Sequence, residues 1–88
     1  MKINILVWDR QNLEHIAKHW VYKDEVEEAL DRYHQTRRVW KGRYALRGQT
    51  YSGRYLFIVM DALGQGRFYV TTAREMTEAE KHPFRRSL

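Results

Sequence analysis

The sequence RYLFIVMD occupies residues 54–61 and is apolar on both of its alternating faces. Its even-numbered apolar positions carry Leu, Ile and Met, and its odd-numbered positions carry Tyr, Phe and Val. A strand that is apolar on both sides is typical of the interior of a sheet, where covering elements exclude water from each face. We therefore predict a central strand over Arg54–Asp61 and expect the other elements to pack around it.

Further strands are predicted on both sides of this segment. From Val39 onward the hydrophobic pattern has a period of two, and one face of that strand is expected to be packed. The residues of this face are Trp40, Tyr44 and Leu46. Polar, glycine-containing turns at 49–53 and 64–66 then connect three strands, the last over Arg67–Ala73, which predicts an antiparallel meander. A fourth strand is predicted at Ile3–Trp8, which is rich in β-branched residues.

Two helices are predicted between the first strand and the meander. Asp9 can cap the first helix, and both helices show an apolar stripe at i, i+3, i+4 and i+7. The second helix begins near Lys23, with Asp24 and Glu25 in its first turn, where carboxylates suit the helix dipole. The two stripes consist of Leu13, Ile16, Ala17 and Trp20, and of Val26, Ala29, Leu30 and Tyr33.

A short third helix is predicted near the C-terminus. Thr77 and Glu80 have the spacing of a capping box that opens it. Pro83 is expected to interrupt this helix because proline lacks an N–H group, and the tail Phe84–Leu88 is expected to be frayed or bound to a partner. The predicted fold class is α+β, with two N-terminal helices packed on a largely antiparallel four-stranded sheet and a short C-terminal helix, in a single domain over residues 1–88.

The charge of the chain is distributed unevenly. Residues 32–74 contain nine basic residues and one acid, Asp61, so this segment carries +8, while the rest carries −3 and the net charge is +5. Because the basic segment is also the predicted sheet, one side of the sheet should be positive and interleaved with aromatic residues. Such a surface suits a polyanion, and RNA is the first candidate.

Several kinds of protein are excluded by composition and pattern. The chain has no cysteine, which excludes disulfides and thiolate metal sites. No stretch approaches the ~20 apolar residues of a membrane span, no signal peptide is recognisable, and the helical patterns are acidic, so we expect a cytoplasmic protein that does not bind membranes. Phosphate-binding loops, dinucleotide fingerprints and nucleophile elbows are absent, and no cofactor is predicted.

An ordered series of short motifs resembles one family of small bacterial proteins. The motifs are Trp8-Asp9, Asn12, Lys18-His19-x-Val21, Glu25-Val26-x-x-Ala29, Gly42-Arg43-Tyr44, Gly48-x-Thr50, Gly53-Arg54-x-Leu56 and Thr72-Ala73-Arg74-x-Met76-Thr77-x-x-Glu80. With them the chain resembles the BrnT-type toxins, which have a RelE-like fold and form the toxin half of type II toxin–antitoxin pairs. The resemblance implies RNA cleavage that blocks translation, and a DNA-binding antitoxin partner of ribbon-helix-helix type.

The chain departs from the family pattern at two places. Trp20 stands where the family usually has glycine after Lys-His, and His82-Pro83-Phe84 replaces a basic stretch that contains tyrosine. The second departure lies in the predicted last helix. If the family carries a catalytic group on that helix, the sequence identifies no matching residue here.

Cleavage of RNA without a metal needs a base for the 2′-hydroxyl, charge stabilisation at phosphorus and an acid for the leaving oxygen. Arginine supplies the charge stabilisation at phosphorus because the N–H groups of its guanidinium match the geometry of phosphate oxygens. Arg74 is the first candidate because it ends the last strand just before a helix N-terminus, although it can instead pair with Glu75 or Glu78 at the surface. Arg43 and Arg54 follow because each adjoins a glycine, the alternative being a solvated strand face.

His19 is the candidate for proton transfer, since histidine titrates near neutral pH and His19 alone of the four histidines lies in a family motif. The alternative is a histidine that only stabilises a helix C-terminus. His15 and His19 have an i, i+4 spacing without a third ligand, and no metal site is predicted. The candidate RNA-binding residues are Lys18, Lys41, Arg47 and Arg67, with Tyr51, in a polar turn, as an exposed ring for base stacking.

These observations predict a toxin that is a metal-independent endoribonuclease, cleaving mRNA by its own active site or at the ribosome and so inhibiting translation. A non-catalytic module of the same fold that binds RNA or protein is the first alternative. A toxin whose basic face mainly docks an acidic antitoxin segment is the second.

Overall fold

The computed structural model describes the whole chain, Met1–Leu88, and contains three helices and one five-stranded sheet. The elements in chain order are β1 (Ile5–Val7), α1 (Arg10–Ala17), α2 (Lys23–Asp31), β2 (His34–Trp40), β3 (Arg43–Gln49), β4 (Tyr55–Gly64), β5 (Arg67–Glu75) and α3 (Glu78–Arg86). The predicted α+β class is confirmed.

The sheet has the strand order β1-β5-β4-β3-β2. Strands β2 to β5 form an antiparallel meander, and β1 adds in parallel to β5 at one edge. The strand that is apolar on both faces, β4, occupies the middle, as predicted. The sheet is therefore mixed and has five strands, so the prediction of four strands is wrong by one.

The additional strand is β2, which the sequence did not reveal because its residues are polar and mostly exposed at the sheet edge. The predicted single strand through Val39 and Trp40 is instead a hairpin that turns at Gly42, whose φ of 73° is a left-handed conformation that glycine adopts without strain. Trp40 therefore ends the edge strand with 76% of its surface exposed. The prediction that Trp40 packs beside Tyr44 is wrong.

Helices α1 and α2 cover one face of the sheet, as the helical stripes predicted. Ile16, Val26 and Ala29 are fully buried in the main core, whereas Leu13, Trp20 and Tyr33 of the same stripes are exposed. A Cβ added at Gly48 would lie 3.0 Å from Ala29, so glycine lets α2 lie close to β3. The core consists of Leu6, Ile16, Val21, Val26, Ala29, Leu46, Leu56, Ile58, Met60, Phe68, Val70 and Ala73.

Helix α3 covers part of the opposite face. The predicted capping box is present, since Thr77 Oγ1 accepts from the Glu80 N–H and the Glu80 carboxylate accepts from the Thr77 N–H. Pro83 lies inside the helix without ending it, and Phe84 is buried against the rings of Tyr33 and Tyr55. The prediction of a frayed tail is wrong for Phe84, because its buried ring anchors the helix.

None of the three helices is long and apolar enough to span a membrane.

Candidate nucleic-acid interface

An open cavity of about 550 Å³ lies where the loop after α1 meets the beginning of β4 and the end of β5. Four of its six lining residues are candidates from the sequence, and they come from three separate parts of the chain. The lining residues are Lys18, His19, Trp20, Arg54, Arg74 and Glu75. Residues 18–20 reach the cavity because α1 ends at Ala17 and the chain turns back towards α2.

Arg54 holds three elements together at the floor of this cavity. Its Nη1 donates to both carboxylate oxygens of Glu25 at 2.7 and 2.8 Å and to the Trp20 carbonyl at 2.7 Å, and its Nε donates to Glu75 at 3.0 Å. Burial lowers the pKa of Arg54, but the hydrogen bonds to Glu25 and Glu75 outweigh that effect and raise it overall. Arg54 is thus a fixed cation.

Arg74 forms the wall of the cavity on β5. Its Nη1 and Nη2 donate to the two carboxylate oxygens of Glu80 at 2.8 and 2.9 Å, and its guanidinium lies 4.4 Å from the centre of the Phe57 ring. The hydrogen bond from Arg74 is the largest cause that lowers the pKa of Glu80 to about 2. The partner is therefore Glu80, and not Glu75 or Glu78, the carboxylates considered from the sequence.

Lys18 and His19 are both exposed at the cavity. Lys18 has no carboxylate within ion-pair distance, and the His19 ring lies 5.5 Å from the His15 ring in an edge-to-face arrangement. His15 in turn shares a hydrogen bond with the Thr72 hydroxyl at 3.1 Å. His19 has no hydrogen-bond partner within the protein, so both of its ring nitrogens are available to a ligand. No three His, Cys, Asp or Glu residues lie together in a group that could hold a metal ion.

Arg43, the remaining catalytic candidate, lies outside this cavity. Its Nε and Nη2 donate to the Asp61 carboxylate at 2.7 and 3.0 Å, and that carboxylate also accepts from Thr71. Arg43 pairs with Asp61 in the sheet, whereas Arg74 pairs with Phe57, four residues away on β4. At about 3.3 Å per residue, the two positions are about 13 Å apart along the strand direction.

The other binding candidates are dispersed. Arg67 begins β5 at the end opposite Arg74, and Lys41 lies in the turn between β2 and β3. Tyr51 is 62% exposed, which confirms the predicted exposure. Its hydroxyl donates a hydrogen bond to Asp31, and this bond raises the pKa of Tyr51. Tyr51 therefore faces the acidic surface of α2, away from the cavity.

Arg47 connects the cavity region to the outer strands. Gln35, Arg47, Phe57 and Arg74 are paired in register across four strands and so share one face of the sheet. The Arg47 guanidinium lies 5.6 Å from the Phe57 ring centre, on the ring that also contacts Arg74. Arg47 has no carboxylate partner, and its Nε is buried without a hydrogen bond. Beside it a cavity of about 260 Å³ opens between β2 and β3 and is also lined by Arg37.

Sequence reasoning missed the carboxylates that hold the arginines. Glu25 is 29 residues from Arg54. The sequence places Glu25 at a helix N-terminus and Glu80 in a capping box, and both also belong to the family motifs. Those local roles gave no signal of the long-range pairs. Trp20 was placed in a packed helical stripe, although it lies beyond the helix and lines the cavity.

Comparison with models of known protein families found no match to this chain, and comparison with curated proteins found none either.

Proposed function

We propose that this protein is the toxin of a toxin–antitoxin pair, of the BrnT type with a RelE-like fold, and that it cleaves mRNA in the cytoplasm. The observation that carries the proposal is that Lys18, His19, Arg54 and Arg74, which come from three separate parts of the chain, line one open cavity. These residues combine guanidinium donors that carboxylates hold in place with an imidazole that has no hydrogen-bond partner. Oriented donors and a proton acceptor are groups that attack by a 2′-hydroxyl on phosphorus requires.

The arginines bind the scissile phosphate in this proposal. A guanidinium has five N–H donors, and the bonds of Arg74 to Glu80 and to the Glu75 carbonyl use three of them. The Nε–H and one Nη2–H of Arg74 thus remain for phosphate oxygens. Glu80 orients the guanidinium, and pre-oriented donors stabilise charge that develops on a phosphorane without further reorganisation.

His19 transfers the proton. As a base it accepts the proton of the 2′-hydroxyl while that oxygen bonds to phosphorus and the bond from phosphorus to the 5′-oxygen breaks, which gives a 2′,3′-cyclic phosphate. Water in the open cavity donates the proton that the departing 5′-oxygen takes up. Lys18, one residue before His19, adds an exposed cation for a neighbouring phosphate. The reaction draws its nucleophile from the RNA itself.

The test is cleavage of RNA by the pure protein, with and without a chelator. Arg74→Ala should lower the cleavage rate by about 100-fold, as removal of one charge-stabilising donor does in other enzymes, and His19→Ala should lower it as well. Arg43→Ala is the matched control, because Arg43 is also held by a bidentate carboxylate pair but lies outside the cavity. Unchanged cleavage by Arg74→Ala would remove the cavity from the mechanism.

A second function is favoured by the ion pairing itself, namely binding of a polyanion without cleavage. Arg43, Arg54 and Arg74 are each bonded to a carboxylate. Apart from Arg43, the cations of the β2–β3 hairpin have no such partner. They are Arg37, Arg38, Lys41 and Arg47. An RNA strand or an acidic segment of a ribbon-helix-helix antitoxin would both suit this surface.

Salt-sensitive retention of RNA without cleavage would support this second function. Binding of an acidic neighbour protein that survives high salt, while RNA is not bound, would instead identify the hairpin as the antitoxin site.

A further inference from the structure

The backbone at Trp20 has a conformation that is unusual for a bulky residue. Its φ is 62°, in the left-handed region, and only Gln65 shares a positive φ among the residues other than glycine. The Trp20 N–H donates to the Ala17 carbonyl at 3.0 Å, and the Val21 N–H donates to the Ile16 carbonyl at 3.2 Å. This pair of bonds is the Schellman motif that closes many helices, and glycine usually occupies its left-handed position.

The indole ring is not placed there by packing. Trp20 is 74% exposed, and its ring takes no part in the aromatic pairs or cation–π contacts of the fold. The hydrophobic contact of the helix closure comes instead from Val21 and Ile16, which are fully buried in the core. The strained backbone of Trp20 is therefore not offset by contacts of its side chain, and such positions concentrate at functional sites.

The position of Trp20 relative to the cations suggests what the ring does. Trp20 lines the same cavity as Lys18, Arg54 and Arg74, and its carbonyl accepts from Arg54 Nη1 at 2.7 Å. Because Arg54 is also bonded to Glu25 and Glu75, the loop that carries the indole is fixed to the body of the protein. Proteins that bind single-stranded nucleic acid place an aromatic ring beside phosphate-binding cations in this way.

We infer that Trp20 is a stacking platform for an unpaired nucleobase of single-stranded RNA whose neighbouring phosphate lies at Arg54 and Arg74. The inference rests on the proposed function and adds the class of substrate to it. A base in a duplex has both faces covered by its neighbours, so this site selects single strands. Every base has an aromatic face, so stacking at Trp20 by itself gives little sequence preference.

The test is binding of short, fluorescently labelled single-stranded RNA to the full chain and to three variants. Trp20→Gly should bind about 10-fold more weakly, within the range that loss of one base–aromatic stack produces, and Trp20→Phe should keep most of the affinity. Trp40→Ala is the matched control, because Trp40 is equally exposed but ends the edge strand β2 away from the cavity. The melting temperature of Trp20→Gly should be no lower than that of the wild type. This measurement separates loss of stacking from loss of folding.

The outcomes separate this inference from the proposed function. Wild-type affinity in Trp20→Gly would overturn the inference and leave the proposed function standing. Failure of the wild-type protein to bind any RNA would overturn the proposed function, and the inference with it. A larger loss in Trp40→Ala than in Trp20→Gly would place the RNA on the β2–β3 hairpin and would also overturn the inference.

Discussion

The cavity beside Trp20 and the β2–β3 hairpin are both basic, but their cations differ in how they are held. In the cavity, Arg54 and Arg74 are bonded to carboxylates at 2.7–3.0 Å and have fixed orientations. On the hairpin, Arg37 and Arg38 are exposed and have no carboxylate partner. Positioned cations suit stabilisation of one defined phosphate, and exposed cations without an ion-pair partner suit salt-sensitive attraction of any polyanion. The basic composition of the segment alone does not distinguish the two.

The largest loss of stability is expected for Arg54→Ala. This change leaves Glu25 without its cation and breaks the bond that holds the Trp20 loop, and a broken buried pair typically costs about 3–5 kcal/mol. Because the two side chains are 25% and 20% exposed, we expect about 2 kcal/mol here. Urea unfolding of the variant and the wild type measures this difference in the free energy of unfolding. Arg37→Ala on the hairpin is the control, and an equal loss there would contradict the distinction between held and free cations.

The next largest effect concerns Glu80 and depends on pH. The pKa of Glu80 falls from 4.5 to about 2 on folding, so the carboxylate stabilises the protein above pH 4.5 and this contribution is lost as the pH falls towards 2. Since its partner Arg74 is 40% exposed, the contribution is on the order of 1–2 kcal/mol.

The free energy of unfolding of Glu80→Gln should therefore lie below that of the wild type at pH 7 and approach it as the pH falls below about 3. Glu78→Gln is the matched control on the same helix, because Glu78 is 81% exposed. A difference between wild type and Glu80→Gln that does not change with pH would exclude the charged pair as its cause.

A gain of stability is expected for Trp20→Gly. Relief of a left-handed backbone at a non-glycine residue should contribute about 1 kcal/mol, and little burial is lost because the ring is exposed. Gln65→Gly, in the other strained position, should also stabilise the protein. If Trp20→Gly unfolds more easily than the wild type, the indole stabilises the fold after all, and the strained backbone no longer argues for a binding role of Trp20.

The smallest effect on stability is expected for the hairpin. Arg37→Ala and Arg38→Ala should leave the urea midpoint nearly unchanged, since neither side chain is part of an ion pair. If the hairpin binds RNA, each change should make the slope of log affinity against log salt concentration less steep by about 0.7. This is the value for one phosphate contact on a single strand. An unchanged slope would leave the cavity as the RNA site.

Much of the fold was predictable because it depends on local patterns. The central strand at residues 54–61, the cap at Asp9 and the capping box at Thr77 are all found in the structure. Strand β2 was missed because an exposed edge strand buries neither face and so leaves no hydrophobic period to detect. The extent of α3 was misjudged because burial of Phe84 outweighs the one hydrogen bond that Pro83 cannot make.

The candidate site was only partly predictable. The residue types at Lys18, His19, Arg54 and Arg74 indicated phosphate and proton chemistry, but their meeting in one cavity follows from how the α1–α2 loop lies against β4 and β5. The same packing placed Arg43 with Asp61 in a different part of the sheet.

The sequence by itself determined where most helices, turns and central strands form, since hydrophobic period, capping and glycine act between residues a few positions apart. Only the tertiary structure decided which cations are neutralised and which aromatic rings are exposed. Coulombic attraction and burial depend on distance in space, and the chain brings Glu25 to Arg54 and Glu80 to Arg74 only when the helices close on the sheet.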